Sequence, residues 1–327
     1  MKKRILSMFT CLALCLGLLP GIAITAGVAN GNSVFVGGVE LKPSDEGGPV
    51  YAKTDPDGSV TLGGSEGDYN VKWDDASSTL TLKNAILQTG YSFYSEDFST
   101  DFIAGIYSSQ HLNLQLAGEN QIFLNQVSPN SLVSIFTDGL TLSGSGTMDV
   151  SISGDGSIGV ASTNQTMITG GTLNIKVTGN GSLGLISNDK MTITGGTLNS
   201  EAKSERSCGV VVYSEMTIAG GTVAAAGNDT AVSAQRVIIE PSRDQIALET
   251  GSDELYAQPI GVYDSSTDVT DIADMFQYFH SYVTTGQGTV DPPVYGVTLS
   301  HRTLALAQGN TSRSLPRLPP LRLQIKR

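Results

Sequence analysis

GVASTNQTMITGGTLNIKVTGNGSL (residues 159–183) runs directly into GLISNDKMTITGGTLNSEAKSERSC (184–208) and then into GVVVYSEMTIAGGTVAAAGNDT (209–230). The three stretches align at a period of 25 residues. One period upstream, SIFTDGLTLSGSGTMDVSISGDGSI begins at Ser134. GIYSSQHLNLQLAGENQIF, from Gly105, is a longer relative, and AVSAQRVIIE, from Ala231, closes the series. The sequence therefore counts six turns of a coil. A unit this short cannot bury its own apolar residues, but stacked on its neighbours it builds a continuous core.

Three columns would form that core. One holds Ile106, Ile135, Val160, Leu185, Val210 and Val232. A second holds Leu114, Leu142, Ile168, Ile193 and Ile218, and a third Met148, Leu173, Leu198 and Val223. Within runs such as Met191-Thr192-Ile193-Thr194 the alternation is of period two, apolar in and Thr out. Gly-Gly-Thr, Gly-Asn-Gly-Ser and Ser-Asn-Asp turns separate the runs. The pattern predicts an all-β chain: a single-stranded parallel β-solenoid, right-handed β-helix-like, of about six coils. At about 4.8 Å per coil the rod would be roughly 25–30 Å long. Cys208 shares a column with Val133, Ile158 and Leu183, which predicts a buried thiol.

Composition agrees. The 327 residues include 38 glycines, well above the usual ~7%, and only 15% charged residues, which excludes a charge-driven disordered chain and a long coiled coil. Residues 1–29 read as a secretory signal peptide: Lys2-Lys3-Arg4, an apolar run broken at Pro20-Gly21, and cleavage after Ala29, with Ala26 as the alternative. Cleavage would leave Cys208 alone, so packing and no intramolecular disulfide would hold the fold. It would also move the net charge from −12 to −12 − 3 = −15, and the six basic side chains after residue 301 leave −15 − 6 = −21 on residues 30–301. Such a surface repels nucleic acid and anionic lipid. The expectation is a secreted or surface-exposed protein with no nucleic-acid partner and no membrane insertion of the mature chain.

Residues 30–87 read as an N-terminal hairpin with cap strands. Val34–Leu41 folds back at Gly37-Gly38, Asp74–Ser78 turns between two strands, Asn84 marks a corner, and Trp73 covers the open end of the core. Residues 88–284 read as the solenoid with a C-terminal cap, including strand-like runs around Ile246–Leu248 and Gln258–Tyr263 and a helical turn then a strand over 269–283. Residues 285–294 read as a linker, and 295–327 as an incomplete Ig-like segment ending in a basic tail.

The pattern Trp73 … Thr79-Leu80-Thr81-Leu82-Lys83-Asn84-Ala85 resembles a class of bacterial extracellular repeat proteins described as carbohydrate-binding-domain-like. Gly105-Ile106, Leu112-Asn113-Leu114, Gly118-Glu119-Asn120 and the repeated Thr-Ile-Thr-Gly-Gly-Thr-Leu carry the same likeness, which spans roughly residues 33–284. Residues 296–311 resemble the start of a bacterial Ig-like group 2 domain. The following Arg-Pro-Leu-rich stretch departs from that pattern, as a changed reading frame would. These motifs are chiefly solenoid grammar, so the resemblance bears on fold more than on function.

Catalytic signatures are sparse. Gly154–Gly159 and Gly179–Gly184 each match G-x-G-x-x-G, but both recur at the repeat period and lead into strands, so they read as turns and not as a dinucleotide site. His111, His280 and His301 are the only histidines, and no HExxH or CxxC motif is present. His111, beside Leu112, reads as an exposed or capped imidazole. Thr54–Ser59 reads as a plain turn, with calcium there or at Asp74/Asp75, Asp97/Asp101 or Asp264–Asp274 kept as the alternative; no other cofactor is expected. The acids Asp149, Asp155, Asp189 and Glu215 read as scattered over different columns, which gives no facing carboxylate pair for glycoside hydrolysis.

Binding is the better expectation. Residues 88–103 read as the longest irregular loop, and Tyr91, Phe93, Tyr94, Phe98, Phe102 and Tyr107 cluster in and after it. Tyr91, Phe93, Tyr94, Phe98 and Tyr107 are the candidate ligand-binding residues, since rings stack on sugars. A hydrophobic cover over the N-terminal end of the solenoid is the competing role. Thr- and Asn-rich outer faces offer hydroxyls and amides to the same ligands. The expected partner is a glycan or another host or cell-wall surface ligand. The alternatives are a polysaccharide lyase or hydrolase built on the coil, and a structural spacer.

Overall fold

The computed structural model describes residues 34–42, 48–95, 100–125, 131–239, 246–251, 258–263, 282–287, 297–298 and 324–325. The predicted signal peptide, Phe98, Asp97, the acids from Asp264 to Asp274, the helical turn expected from residue 269 and most of the basic tail lie outside the described residues.

Alternating apolar and hydroxylated residues form strands, and turn residues at fixed offsets bend the chain into a three-sided coil. Sheet A stacks Thr100–Ser108, Ser131–Thr137, Ile158–Ser162 and Leu183–Ser187; sheet B stacks His111–Ala117, Gly139–Gly144, Thr166–Ile168 and Met191–Ile193. Sheet C stacks Glu119–Asn125, Thr147–Ser153, Thr172–Thr178, Thr197–Ala202 and Thr222–Gly227. Cys208–Ile218 and Thr230–Ile239 bend through a corner and serve both A and B. All these ladders are parallel, so the fold is a β-solenoid. Five coils are complete. The sixth expected coil is partial: Thr230–Ile239 supplies its A and B sides, while its C side is taken by Tyr282–Gln287, which pairs antiparallel with Thr222–Gly227.

The predicted columns point inward. Ile106, Ile135, Val160, Leu185, Val210, Leu114, Leu142, Ile168, Ile193, Ile218, Met148, Leu173, Leu198 and Val223 are all fully buried in one cluster. Burying an aliphatic side chain of this size contributes about 1.5–3 kcal/mol, and each coil adds several to the same cluster. The corner from B to C needs the second Gly of Gly-Gly-Thr. Gly171, Gly196 and Gly221 have φ of +75°, +76° and +73°, and a Cβ on Gly196 would stand 2.6 Å from the Gly171 carbonyl oxygen.

Antiparallel strands cover the N-terminal edges of sheets A and B, so parallel edges there do not invite further pairing. Val71–Asp74 pairs with Thr79–Lys83, which leads sheet B, and a 3₁₀ turn over Asp75–Ser77 joins them. Trp73, opposite Leu80, is fully buried. Val34–Val36 and Val39–Leu41 form the hairpin around Gly37-Gly38, and the first strand also pairs with Thr100–Ser108. At the far end Ile246–Gly251, Gln258–Tyr263 and Tyr282–Gln287 extend sheet C antiparallel. The last of these runs three residues into the stretch expected to be a linker.

One sequence expectation is corrected here and another is borne out. Tyr91–Ser95 is a strand, paired antiparallel with Thr100–Ser108 from Tyr91↔Ala104 to Ser95↔Thr100, so residues 91–95 and 100–103 belong to a sheet and not to an irregular loop. Cys208 is buried in the expected column with Val133, Ile158 and Leu183, but that column belongs to a second cluster. The cluster also takes in Phe136, Ala161, Ile186 and Val211, and it is separate from the solenoid interior.

The chain divides into two units, Met1–Gly288 and Thr289–Arg327. In the second, Val297–Thr298 pairs antiparallel with Gln324–Ile325. Among the described residues no helix is long and apolar enough to cross a membrane.

Candidate functional site

The aromatic residues singled out by sequence divide by burial. Phe93 and Tyr107 are 7% and 2% exposed. Phe93 packs on Phe102, Tyr107 and Phe136, with centroids 5.7, 4.8 and 4.9 Å away. Tyr91 is half-buried and stacks on Phe35 at 3.9 Å. These rings close the N-terminal end of the second cluster, and the faces they spend on one another are not open to a sugar. Among the described candidates Tyr94 alone stands out, 52% exposed. Burial, and secondarily the charge of Tyr91, pushes the Tyr107 phenol up to about 12. Its hydroxyl has no hydrogen-bond partner among the described residues.

The half-buried tyrosines of the N-terminal cap, Tyr51 and Tyr69, are engaged locally. Tyr51 donates to Glu66 at 2.5 Å, Lys72 pairs with the same carboxylate at 2.7 Å, and Lys53 pairs with Asp68. Lys72 and Lys83 lie over the Tyr51 and Tyr69 rings at 5.8 and 5.6 Å. Hydrogen bonding to Glu66 raises the Tyr51 phenol and the Lys72 ammonium, and the same two bonds lower Glu66.

Among the described residues, a groove of about 490 Å³ lies on the outer face of sheet C. Two outward columns line it. In-register pairing stacks Asp149, Asn174, Asn199 and Ala224 in one, and Ser151, Lys176, Glu201 and Ala226 in the next. Rungs follow one another at about 4.8 Å. The groove exists because the long polar side chains stop: where the pattern would place a third amide and another charged residue, the fifth coil has two alanines. Lys203 borders it, and its ammonium lies 3.5 Å from Glu201. One coil above Ser151 the same column holds Phe123, 48% exposed.

The amide column is directional. Asn174 Nδ2 donates to Asp149 Oδ1 at 2.7 Å, and Asn199 Nδ2 donates to Asn174 Oδ1 at 2.7 Å. An ionised carboxylate only accepts, so Asp149 turns the Asn174 amide group toward itself; Asn174 then offers its carbonyl to Asn199. Bonds aligned this way polarise one another. The two carboxylates, Asp149 and Glu201, stand two coils apart in neighbouring columns, roughly 10 Å along the axis. Sequence reading expected Asn-rich outer faces but took Asp149 for one of several acids scattered over different columns. The signal that links the amide column is arithmetic: Asp149, Asn174 and Asn199 follow at intervals of 25.

Other candidate positions are accounted for by local structure. Asp57 Oδ1 accepts from the Ser59 amide at 3.0 Å and its hydroxyl at 2.7 Å, and these bonds lower the Asp57 carboxyl. His111 Nε2 sits 2.9 Å from Thr141 Oγ1. Both G-x-G-x-x-G stretches lead into strands, at Ile158–Ser162 and Leu183–Ser187. Among the described residues no group of three metal-ligating side chains gathers. No protein-family model, no curated protein and no solved structure matches this chain.

Proposed function

We propose that this chain is a secreted or cell-surface binding module, non-catalytic, which takes a glycan in the groove on the outer face of sheet C. The observation that carries the reading is the groove itself. Its volume is within the range of small-molecule pockets, and amide, hydroxyl, carboxylate and ammonium groups line it in fixed register. Such groups match the alternating donors and acceptors of a sugar. Phe123 on the same face adds an exposed ring for stacking. The resemblance to bacterial extracellular repeat proteins described as carbohydrate-binding-domain-like, often with Ig-like group 2 domains, supports the reading, as does the predicted signal peptide.

A non-catalytic role is favoured over hydrolysis by the carboxylate geometry. Facing carboxylates in glycosidases stand about 5–9.5 Å apart. Here one accepts from Asn174 and the other faces Lys203, on rungs two coils apart.

The test is binding of the purified chain to a broad glycan panel, with and without calcium. The expected result is a selective hit that leaves the glycan intact and is weakened at least tenfold by Asn174→Ala with Asn199→Ala. New reducing ends or unsaturated sugars would replace this reading with a lyase or hydrolase. A blank panel would replace it with a structural spacer.

A further inference from the structure

The amide column ends on an open acceptor. Asp149 fixes its polarity, so each amide gives its NH₂ toward Asp149 and its carbonyl away from it. At Asn199 the carbonyl oxygen therefore faces the fifth coil. There the register partner is Ala224, which has no group to donate. Nothing among the described residues donates to Asn199 Oδ1. One rung of the column is missing, and the gap is part of the groove.

We propose that a 2-acetamido sugar fills the missing rung. This rests on the glycan reading above and specifies its ligand class. A secondary amide is the group the column lacks: its N–H donates to Asn199 Oδ1, continuing the run of aligned amides. Its methyl group rests on the side chains of Ala224 and Ala226, the apolar floor of the gap. A sugar hydroxyl at the same carbon could donate to Asn199 but brings no methyl for the alanines. Glu201, in the adjoining column, accepts from a ring hydroxyl, and Lys176 donates to one. Asp149 touches no ligand in this arrangement. It is a positioning residue, which keeps Asn199 presenting oxygen and not NH₂.

The experiment compares oligomers of one length and one linkage on the full chain: β-1,4-linked N-acetylglucosamine, the same chain deacetylated, and β-1,4-linked glucose, titrated by calorimetry. A hydroxyl or ammonium at the same carbon can also donate to Asn199 Oδ1, so the buried methyl sets the difference and predicts a preference of about fourfold for the acetylated chain. Ala224→Asn supplies the third rung from the protein. It should erase that preference while leaving or raising the melting temperature. Ala224→Gly leaves the rung vacant and removes part of the apolar floor, so it should lower the preference without erasing it, and a folding defect in one variant does not decide the matter. Asp149→Asn removes the group that sets polarity. It should reduce the acetylated-to-glucose ratio without removing glucose-chain binding.

Binding of both oligomers with equal affinity would overturn the acetamido assignment and leave the glycan reading standing. So would binding of only unacetylated glycans elsewhere in the panel. Selective binding of the acetylated chain that Ala224→Asn does not affect would place the acetamido group at another point, and would equally overturn the assignment. No binding to any glycan would overturn both.

Discussion

Gly196→Ala tests whether the corner glycines are needed for backbone conformation alone or also for close stacking. Gly196 has φ of +76°, a region costly to residues with a Cβ. Its neighbours are as restrictive. The added Cβ would meet the Gly171 carbonyl oxygen at 2.6 Å, the Gly170 carbonyl carbon at 2.7 Å and the Gly170 oxygen at 2.9 Å. All three are backbone atoms of the preceding coil, which no rotamer change can clear. Gly181 is the internal control: φ is +68°, and a Cβ there would meet nothing within 4 Å. A left-handed alanine costs about 1–2 kcal/mol, offset by about 0.4–1 kcal/mol from the less flexible unfolded chain. Gly181→Ala should therefore lose about 1 kcal/mol. Overpacking adds about 1–3 kcal/mol, so Gly196→Ala should lose about 2–4 kcal/mol. Urea unfolding followed by circular dichroism reads both values, and an unchanged slope shows that the array still unfolds as one unit. Equal losses in the two variants would refute the stacking argument and leave only the φ requirement.

Three further outcomes follow from the packing. Leu198→Ala removes a fully buried rung between Leu173 and Val223, and should cost about 2–5 kcal/mol in the same urea assay; a loss under 1 kcal/mol would mean that the column does not carry the core. Arg206 has φ of +58° in the turn position held by Gly156 (+64°) and Gly181 (+68°) in earlier coils, so Arg206→Gly should raise stability by about 0.5–1 kcal/mol, and a lower melting temperature would contradict it. Tyr107→Phe deletes a buried hydroxyl without a partner among the described residues, and should match or exceed the parent by up to about 1 kcal/mol at neutral pH. Because the folded phenol is raised to about 12 against about 10 unfolded, the parent's stability from this group is complete below pH 10 and is lost as the pH rises from 10 towards 12; the advantage of the Phe variant should widen over that window, and narrowing would refute the assignment.

The fold was legible because the repeat makes each inward position a restatement of the same physical demand. Leu173 and Leu198 occupy one column for the reason Ile168 and Ile193 occupy another, and a period of 25 aligns them with no further information. The limits of that legibility have physical causes. The pattern in Thr230–Ile239 continues through two sides of a coil, and nothing local reveals that the third side is closed by a strand from residue 282 onward. The column of Cys208 repeats as faithfully as the interior columns, so period alone does not tell which side of sheet A it packs on. The aromatic run at 91–102 has the composition of a binding loop, yet its rings are as good at covering an end of the stack, and pairing with Thr100–Ser108 commits Phe93 and Phe102 to that use.

The candidate site was harder to read because outward columns carry no packing demand, so the rule that exposes the core leaves them free to vary. That freedom gives their regularities meaning. Thr147, Thr172, Thr197 and Thr222 share one outward column of sheet C, and β propensity accounts for them. Asp149, Asn174 and Asn199 have no such explanation, because Asp and Asn are poor strand formers. Their stacking stabilises the column only while the amides align, and it stops at Ala224 while the Thr column continues through the same coil. A column that runs against strand propensity for three coils and ends where its neighbour does not is a departure that packing does not require. In a solenoid, such departures on an outer face are where a ligand's demands can be separated from those of the fold.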